Sequence, residues 1–422
     1  MKSVLLSHPG CAPFVQHTAR ALYEVGLLSA YVTTFCYQPG SWLGRALRTT
    51  LRLVMRDPER QLVRRQITEV PREMVISYPM PELLRMAAAK LPLESIGPIV
   101  ADLVWEQTEL WFDRIVARKH TDGVAAVYGY EHACLETFRA AKARGALCIY
   151  EMPICHHKTV EELLRPEFER IPEVETPYEE HRRRLAPRRN ARKDEELRLA
   201  DLVIVNSSFT RESLIRAGVP DVRISVVPLG SPAVATDQIE RPKNSFIFLY
   251  AGSLSVRKGV HYLLEAWRRL SPGRGVELWL IGTMHLPKRL FDTLPGTVVV
   301  RPSVSRDQLF EIYRRVSVLV FPSLCEGFGM VITEAMAHGL PVITTPNTAG
   351  RDLIRHGQNG FIVPIRDVDC LAETMQWCLD HQDDLSEVGR QAALTAASWQ
   401  WSDYRASLGR VVHEFLHKHP GG

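Results

Sequence analysis

FPSLCEGFGMVITEAMAHG, residues 321–339, is the stretch whose reading decides the fold. VLVF at 318–321 predicts a short buried strand, PSLCEGFG a turn, and VITEAMAHG a helix that stops at Gly339 before Pro341. The turn therefore sits at the carboxyl end of a strand, where open α/β sheets bind ligands. A helix opening near Gly329, Met330 and Val331 offers free backbone N–H groups to a phosphate, and the glycines let that backbone approach closely. With Gly327 and Phe328 these residues form one candidate donor-binding turn. Glu326 and Glu334 flank it, eight positions apart and aimed at one ligand. A phosphate already served by amides and the helix dipole does not need carboxylates, so the two acids are read as acceptors of hydrogen bonds from hydroxyls. Hydroxyls plus phosphate suggest a nucleotide sugar.

A second constellation lies upstream. SFIFLYAG (245–252) predicts a buried strand, and KGVHYLLEAWRRL (258–270) an amphipathic helix, with SLSVRKG between them. Gly252 and Ser253 follow the strand, and Arg257 and Lys258 fall at the expected helix start. That arrangement suits a diphosphate, because cations and oriented amides can neutralise it without metal. The bland alternative is a basic helix start on a solvated surface.

The motif E-G-F-G-x4-E-A-M-A-x-G-x-P-V resembles the C-terminal half of glycosyltransferase family 4, and PVITTPNTAGRDLIRHGQNGFIVP (341–364) looks like the same family. The resemblance implies an α/β chain of GT-B architecture: two Rossmann-like domains facing across a cleft and a retaining mechanism. It sets Glu326 beside the donor sugar and Glu334 on the nucleotide ribose. It also implies a lysine at Lys258; where the family often has an arginine directly after the strand glycine this chain has Ser253, and Arg257 is the substitute. Gly10, in the first strand-to-helix loop, is the candidate to approach the donor diphosphate, although the family's paired glycines are absent. His156, after the strand ending YEMP, is the candidate to meet the acceptor or leaving phosphate; many members place a histidine within that strand's end, where this chain has Glu151 and Met152. Glu131 and His132 after YGY invite the same comparison. The family has no agreed nucleophile, front-face attack assisted by the leaving phosphate being the usual proposal, and none is named here.

The rest of the chain accommodates this reading. Its 422 residues suit two domains of about 200 residues. Apolar residues at 45% and charged ones at 24% describe an ordinary globular protein able to bury two cores. The expected organisation is an acceptor-binding domain at 1–230, a linker at 231–244 where PLGSPAVATDQIERPKNSF turns polar, a nucleotide-sugar-binding domain at 245–395, and a helix at 396–422 that in the family returns to the N-terminal domain. No apolar run approaches the roughly 20 residues of a spanning helix, and MKSVLLSHPG turns polar too soon for a secretory signal. The expectation is a cytoplasmic protein. Its eight cysteines lack paired metal-like spacing and read as free thiols, Cys325 as packing.

Arginines at 45, 48, 52 and 56 repeat at helical spacing beside Leu43, Leu47, Leu51 and Val54. Residues 42–56 could thus lie on anionic lipid at the inner membrane face and bring a lipid-linked acceptor within reach; a solvated face over the core is the alternative. EEHRRRLAPRRNARKDEELRLAD (179–201) reads as a mixed-charge surface helix broken at Pro187, and without aromatic stacking residues it is no nucleic-acid patch. Asp367-Val-Asp369 has the spelling of a metal-binding Asp-x-Asp but precedes a helix, where Asp is a favoured N-cap. No metal site and no cofactor are expected, the nucleoside diphosphate sugar being a substrate. The activity expected is transfer of a hexose-type unit to an acceptor hydroxyl of a glycan, lipid-linked or small molecule. The alternatives are a non-catalytic nucleotide-sugar-binding protein and a GT-B enzyme of other activity such as an epimerase. A nicotinamide dehydrogenase is disfavoured, because no strand is followed by G-x-G-x-x-G with an acid about 20 residues on.

Overall fold

The computed structural model describes residues 3–41, 44–45, 48–49, 62–88, 97–235 and 245–419. Most of the basic stretch 42–56, including Leu43, Leu47, Leu51, Arg52, Val54 and Arg56, lies outside the described residues, as does residues 236–244 of the expected linker.

The chain divides into two compact units. The first comprises Met1–Met152, Pro177–Ile204 and Arg405–Gly422; the second comprises Pro153–Thr176 and Val205–Tyr404. Each is therefore assembled from separated segments of the chain.

In the first unit, β1 (Val4–Ser7), β2 (Leu28–Thr33), β3 (Val75–Ser77), β4 (Ala126–Tyr130), β5 (Leu147–Met152) and β6 (Leu202–Val205) run in the sheet order β3-β2-β1-β4-β5-β6. The register is parallel, with Leu5 opposite Ala30 on one side and Val127 on the other. Uniformly buried strands such as VLLS and LVIV are what a sheet covered on both faces requires. The terminal helix Trp401–Lys418 contributes its Arg405-onward part to this unit. There Gly409 lies so close to Val25 that a Cβ would stand 2.7 Å from its Cγ1, and Arg405 pairs with Glu24 at 3.2 Å.

The second unit is built on β8 (Phe246–Ala251), β9 (Val276–Ile281), β10 (Thr297–Arg301), β11 (Val318–Phe321), β12 (Val342–Thr344) and β13 (Phe361–Ile362), in the order β10-β9-β8-β11-β12-β13, after the short β7 (Ile224–Val226). Its core centres on Phe248, Tyr250, Trp267, Phe321 and Met336, with the Trp267 indole N–H donating to the Pro295 carbonyl at 2.8 Å. In this order the chain reverses between β8 and β11, which puts the switch point of the sheet where the two constellations read from the sequence come together.

Three expectations are corrected. The helix after β8 begins at Val260, because Gly259 takes a left-handed φ of 67°, so Arg257 and Lys258 belong to the loop before it. The helix Pro177–Leu199 is continuous through Pro187, which is exposed, so that water can serve the carbonyl deprived of its N–H partner. Nor is this a surface helix throughout, since it buries His181, Glu196 and Leu197.

Candidate active site

The site in the second unit grows from two loops lashed together at the carboxyl ends of β8 and β11. The Leu324 N–H donates to the Arg257 carbonyl at 2.9 Å, and Arg257 Nη1 donates back to the Cys325 carbonyl at 3.1 Å. Two glycines permit the close packing. A Cβ on Gly259 would stand 2.0 Å from the Pro322 carbonyl oxygen, and one on Gly327 would stand 1.8 Å from that of Pro153. The segment after β12 pins the turn from its other side: Glu326 N–H donates to Asn347 O at 2.9 Å, Asn347 Nδ2 to Leu324 O at 2.8 Å, and Ala349 N–H to Phe328 O at 2.9 Å.

These contacts fix Glu326. Its Oε1 accepts from Lys258 Nζ and Arg257 Nη1, both at 2.5 Å, with Ser323 Oγ at 3.4 Å. Two cations thus share one carboxylate in a setting where the Glu326 and Lys258 side chains are each 12% exposed. Burial lowers the Lys258 pKa, opposed by the Glu326 charge; for Arg257 burial also works downward, but Glu326 outweighs it and the guanidinium is held above its usual range. Lys258 Nζ also lies 5.0 Å over the Phe321 ring. The cluster carries one positive charge more than it neutralises, which is what an approaching anion would meet.

Gly252 and Ser253 close the β8 side: the Gly252 N–H donates to Ile281 O at 2.9 Å, and the Tyr250 hydroxyl to Ser253 O at 2.7 Å. Gly329, φ 89°, is the N-cap of the helix Met330–Ala337, whose first residues Met330 and Val331 are half-buried. Glu334 lies further along this helix, 6% exposed, with Arg306 Nε 3.1 Å from its Oε1. Its pKa is raised by burial, with Arg306 acting in the opposite sense.

Structure thus brings together Glu326, Lys258 and Arg257 directly, and sets Gly252, Ser253, Gly327, Phe328, Gly329, Met330, Val331 and Glu334 on the elements around them. His156 stands apart in role. It is 3% exposed, it is the N-cap of the helix His157–Arg170 with Nδ1 accepting the Lys158 N–H at 3.3 Å, and its own N–H donates to Ser213 Oγ. Gly10 belongs to the first unit, where its carbonyl accepts from the Tyr31 hydroxyl at 2.6 Å and its N–H donates to His8 Nδ1 at 2.8 Å. Asp367 caps the helix Val368–Asp380 through the Cys370 N–H, and Asp369 pairs with Arg269. Sequence reasoning missed Ser323, Asn347 and Arg306. The family-like PNTAG signalled Asn347; Arg306 has no signal, reading only as the first residue of a helix capped by Ser305.

Residues 245–381 match the family model described as Glycosyl transferases group 1. The matched residues lie within the second unit. The chain is 29% identical over 252 residues to a D-inositol 3-phosphate glycosyltransferase of Streptomyces scabiei, covering 53% of this chain and 56% of the relative. It is 33% identical over 153 residues to the capsular polysaccharide biosynthesis glycosyltransferase CapM of Staphylococcus aureus, 35% of this chain and 40% of the relative. The matches thus span about half the length of these relatives. Among solved structures, sucrose-phosphate synthase from Thermosynechococcus elongatus superimposes with a TM-score of 0.67 at 17% identity, covering 99% of this chain and 100% of that one. Anabaena HepE in complex with UDP-glucose gives 0.60 at 16%, covering 98% and 100%. These likenesses show the fold: an α/β chain of the GT-B class. Within this matched stretch, Glu326, Lys258 and Glu334 are the residues that the motif and the ion pairs single out together.

Proposed function

We propose that the protein transfers a hexose-type sugar from a nucleoside diphosphate sugar to an acceptor hydroxyl of a glycan, lipid-linked or small molecule, with retention at the anomeric carbon and no bound metal. The observation that carries this reading is the Lys258–Glu326–Arg257 cluster beside the start of the helix Met330–Ala337. Breaking the bond between the anomeric carbon and the diphosphate oxygen leaves an oxocarbenium-like sugar and a charged leaving group. Lys258, Arg257 and the amides near Met330 stabilise the latter, while Glu326, drawn partly away from its cations, accepts hydroxyls of the sugar and orients it. The acceptor oxygen forms the new bond on the face the diphosphate leaves, and its proton passes to the departing phosphate oxygen. Glu334 takes the ribose hydroxyls. The UDP-glucose bound to Anabaena HepE, a chain of the same fold, supports the donor class. The basic stretch 42–56 suits a lipid-linked acceptor at an anionic surface, and no helix among the described residues is long and apolar enough to cross a membrane.

The test is release of nucleoside diphosphate from UDP-, GDP- and ADP-sugars, each with and without cell lipid extract or oligosaccharide acceptors, in the wild type and Glu326→Ala. Acceptor-stimulated release that is lost in the variant supports transfer, and NMR of the product's anomeric proton reads retention or inversion. Donor binding with no release from any sugar would overturn it in favour of a non-catalytic nucleotide-sugar-binding protein, and release of an altered free sugar without acceptor in favour of an epimerase.

A further inference from the structure

Glu334 is an acid in an unfavourable place. It is 6% exposed on the helix Met330–Ala337, and burial alone disfavours its charge. A carboxylate that takes two hydroxyl donors must be ionised, since protonation turns one of its oxygens into a donor. Among the described residues the cation paired with it is Arg306, whose Nε lies 3.1 Å from Oε1. Arg306 is itself held in place. It opens the helix Arg306–Tyr313, which Ser305 and Gln308 close with a reciprocal capping box, and its guanidinium rests 5.1 Å over the Phe310 ring. From the other side His338 Nδ1 lies 2.7 Å from the Glu334 carbonyl oxygen, and its ring packs 4.7 Å from Phe310 and 5.6 Å from Tyr313. The Arg306 side chain remains 40% exposed, so it reaches from solvent to a buried acid.

We propose that Arg306 is a positioning residue for donor recognition: through its contact with Oε1 it fixes the Glu334 carboxylate for hydrogen bonds from the vicinal hydroxyls of a ribose. This rests on the reading of Glu334 as the ribose-binding residue. The groups that act on the Glu334 charge are Arg306 and Tyr313, while the helix Gln382–Ala397, packed against the same helix, pairs its Glu387 with its own Arg390. Nucleoside diphosphate affinity is therefore complete above the Glu334 pKa and lost as pH falls through it. Removing Arg306 removes what holds that pKa down, so the acid limb moves to higher pH. Arg306→Lys keeps the charge and brings the limb back toward the wild type.

The experiment titrates UDP, GDP and ADP calorimetrically into the wild type, Arg306→Gln, Arg306→Lys and Glu334→Gln across about pH 5–9, adding the 2′-deoxy form of whichever nucleotide binds best. The proposal expects roughly 10-fold weaker binding in Arg306→Gln, an acid limb at higher pH, partial rescue by lysine, and less discrimination against the 2′-deoxy nucleotide. If Glu334→Gln weakens binding while Arg306→Gln leaves affinity and pH profile unchanged, the ribose reading stands and the proposal falls. If Glu334→Gln binds as the wild type does and the 2′-deoxy nucleotide is not discriminated against, the ribose reading fails and takes the proposal with it. Arg306 is half out of the protein, so its variants are expected to fold, and their melting curves check this.

Discussion

Both units bury acidic side chains, but they wire them in opposite ways. In the second unit one carboxylate, Glu326, is shared by two cations, and the loops around it stand at the carboxyl ends of the central strands β8 and β11. In the first unit carboxylates serve backbone and partners of their own. Asp113, fully buried, accepts the N–H groups of Glu136 and Thr137 at 2.8 Å and thereby caps the helix Leu135–Ala143, whose own N-cap residue Cys134 makes no side-chain cap. Glu196 accepts from His132 N, Cys134 N and the Tyr150 hydroxyl, and Arg192 pairs with both Asp113 and Glu196. Glu109 lies 2.8 Å from His132, a residue held at φ 75°. A network whose carboxyls are held by backbone N–H groups and a shared arginine rigidifies a turn; a cluster with surplus charge attracts an anion.

The strongest way to break this comparison is Asp113→Ala. It leaves Arg192 short of a buried partner and two N–H groups uncapped, so urea denaturation should show a loss of about 3–5 kcal/mol. Glu326→Gln tests the other half: it leaves Lys258 and Arg257 without their shared carboxylate, so stability should fall and be restored by nucleoside diphosphate, whose affinity should be equal or tighter, while sugar turnover falls by about 100-fold, read by donor release. Gly327→Ala forces a Cβ against the Pro153 carbonyl and should cost about 1–3 kcal/mol in the same denaturation assay. A pH series sharpens the first-unit half. Burial pushes the Glu109 carboxyl up to about 8, so the stability it contributes is complete below the ordinary carboxylate range and lost as pH rises through about 8. Glu109→Gln should flatten the fall in melting temperature over that window. The smallest effect belongs to Asp367→Ala, which removes a helix cap worth about 1 kcal/mol and should leave donor binding alone.

Legibility in the sequence follows the same divide. VLVF was readable to the residue because a four-residue apolar run ending at a proline has one interpretation as a buried strand. The spacing of Glu326, Glu334 and Lys258 around glycines points to a strand end, and the structure places all three on the elements there, with Lys258 paired to Glu326. The buried side of the helix 177–199 escapes the sequence because hydrophobic periodicity is mute where the buried residues are His181 and Glu196 with a single leucine, Leu197. Lys258 was placed on a helix start because the pattern does not show that Gly259 turns left-handed first. Arg306 was invisible, since its partner Glu334 is 28 residues away and only the fold brings them together.

The central claim is that the surplus charge on the second-unit cluster is a diphosphate site. It is tested most directly by calorimetric titration of UDP, GDP and ADP into the wild type and Lys258→Ala. The account predicts that at least one nucleotide binds the wild type, about 10-fold or more weakly in the variant, while unfolding free energy changes by less than about 1 kcal/mol. Unchanged nucleotide affinity together with a large loss of stability would contradict it, and would make this cluster a structural network like that of the first unit.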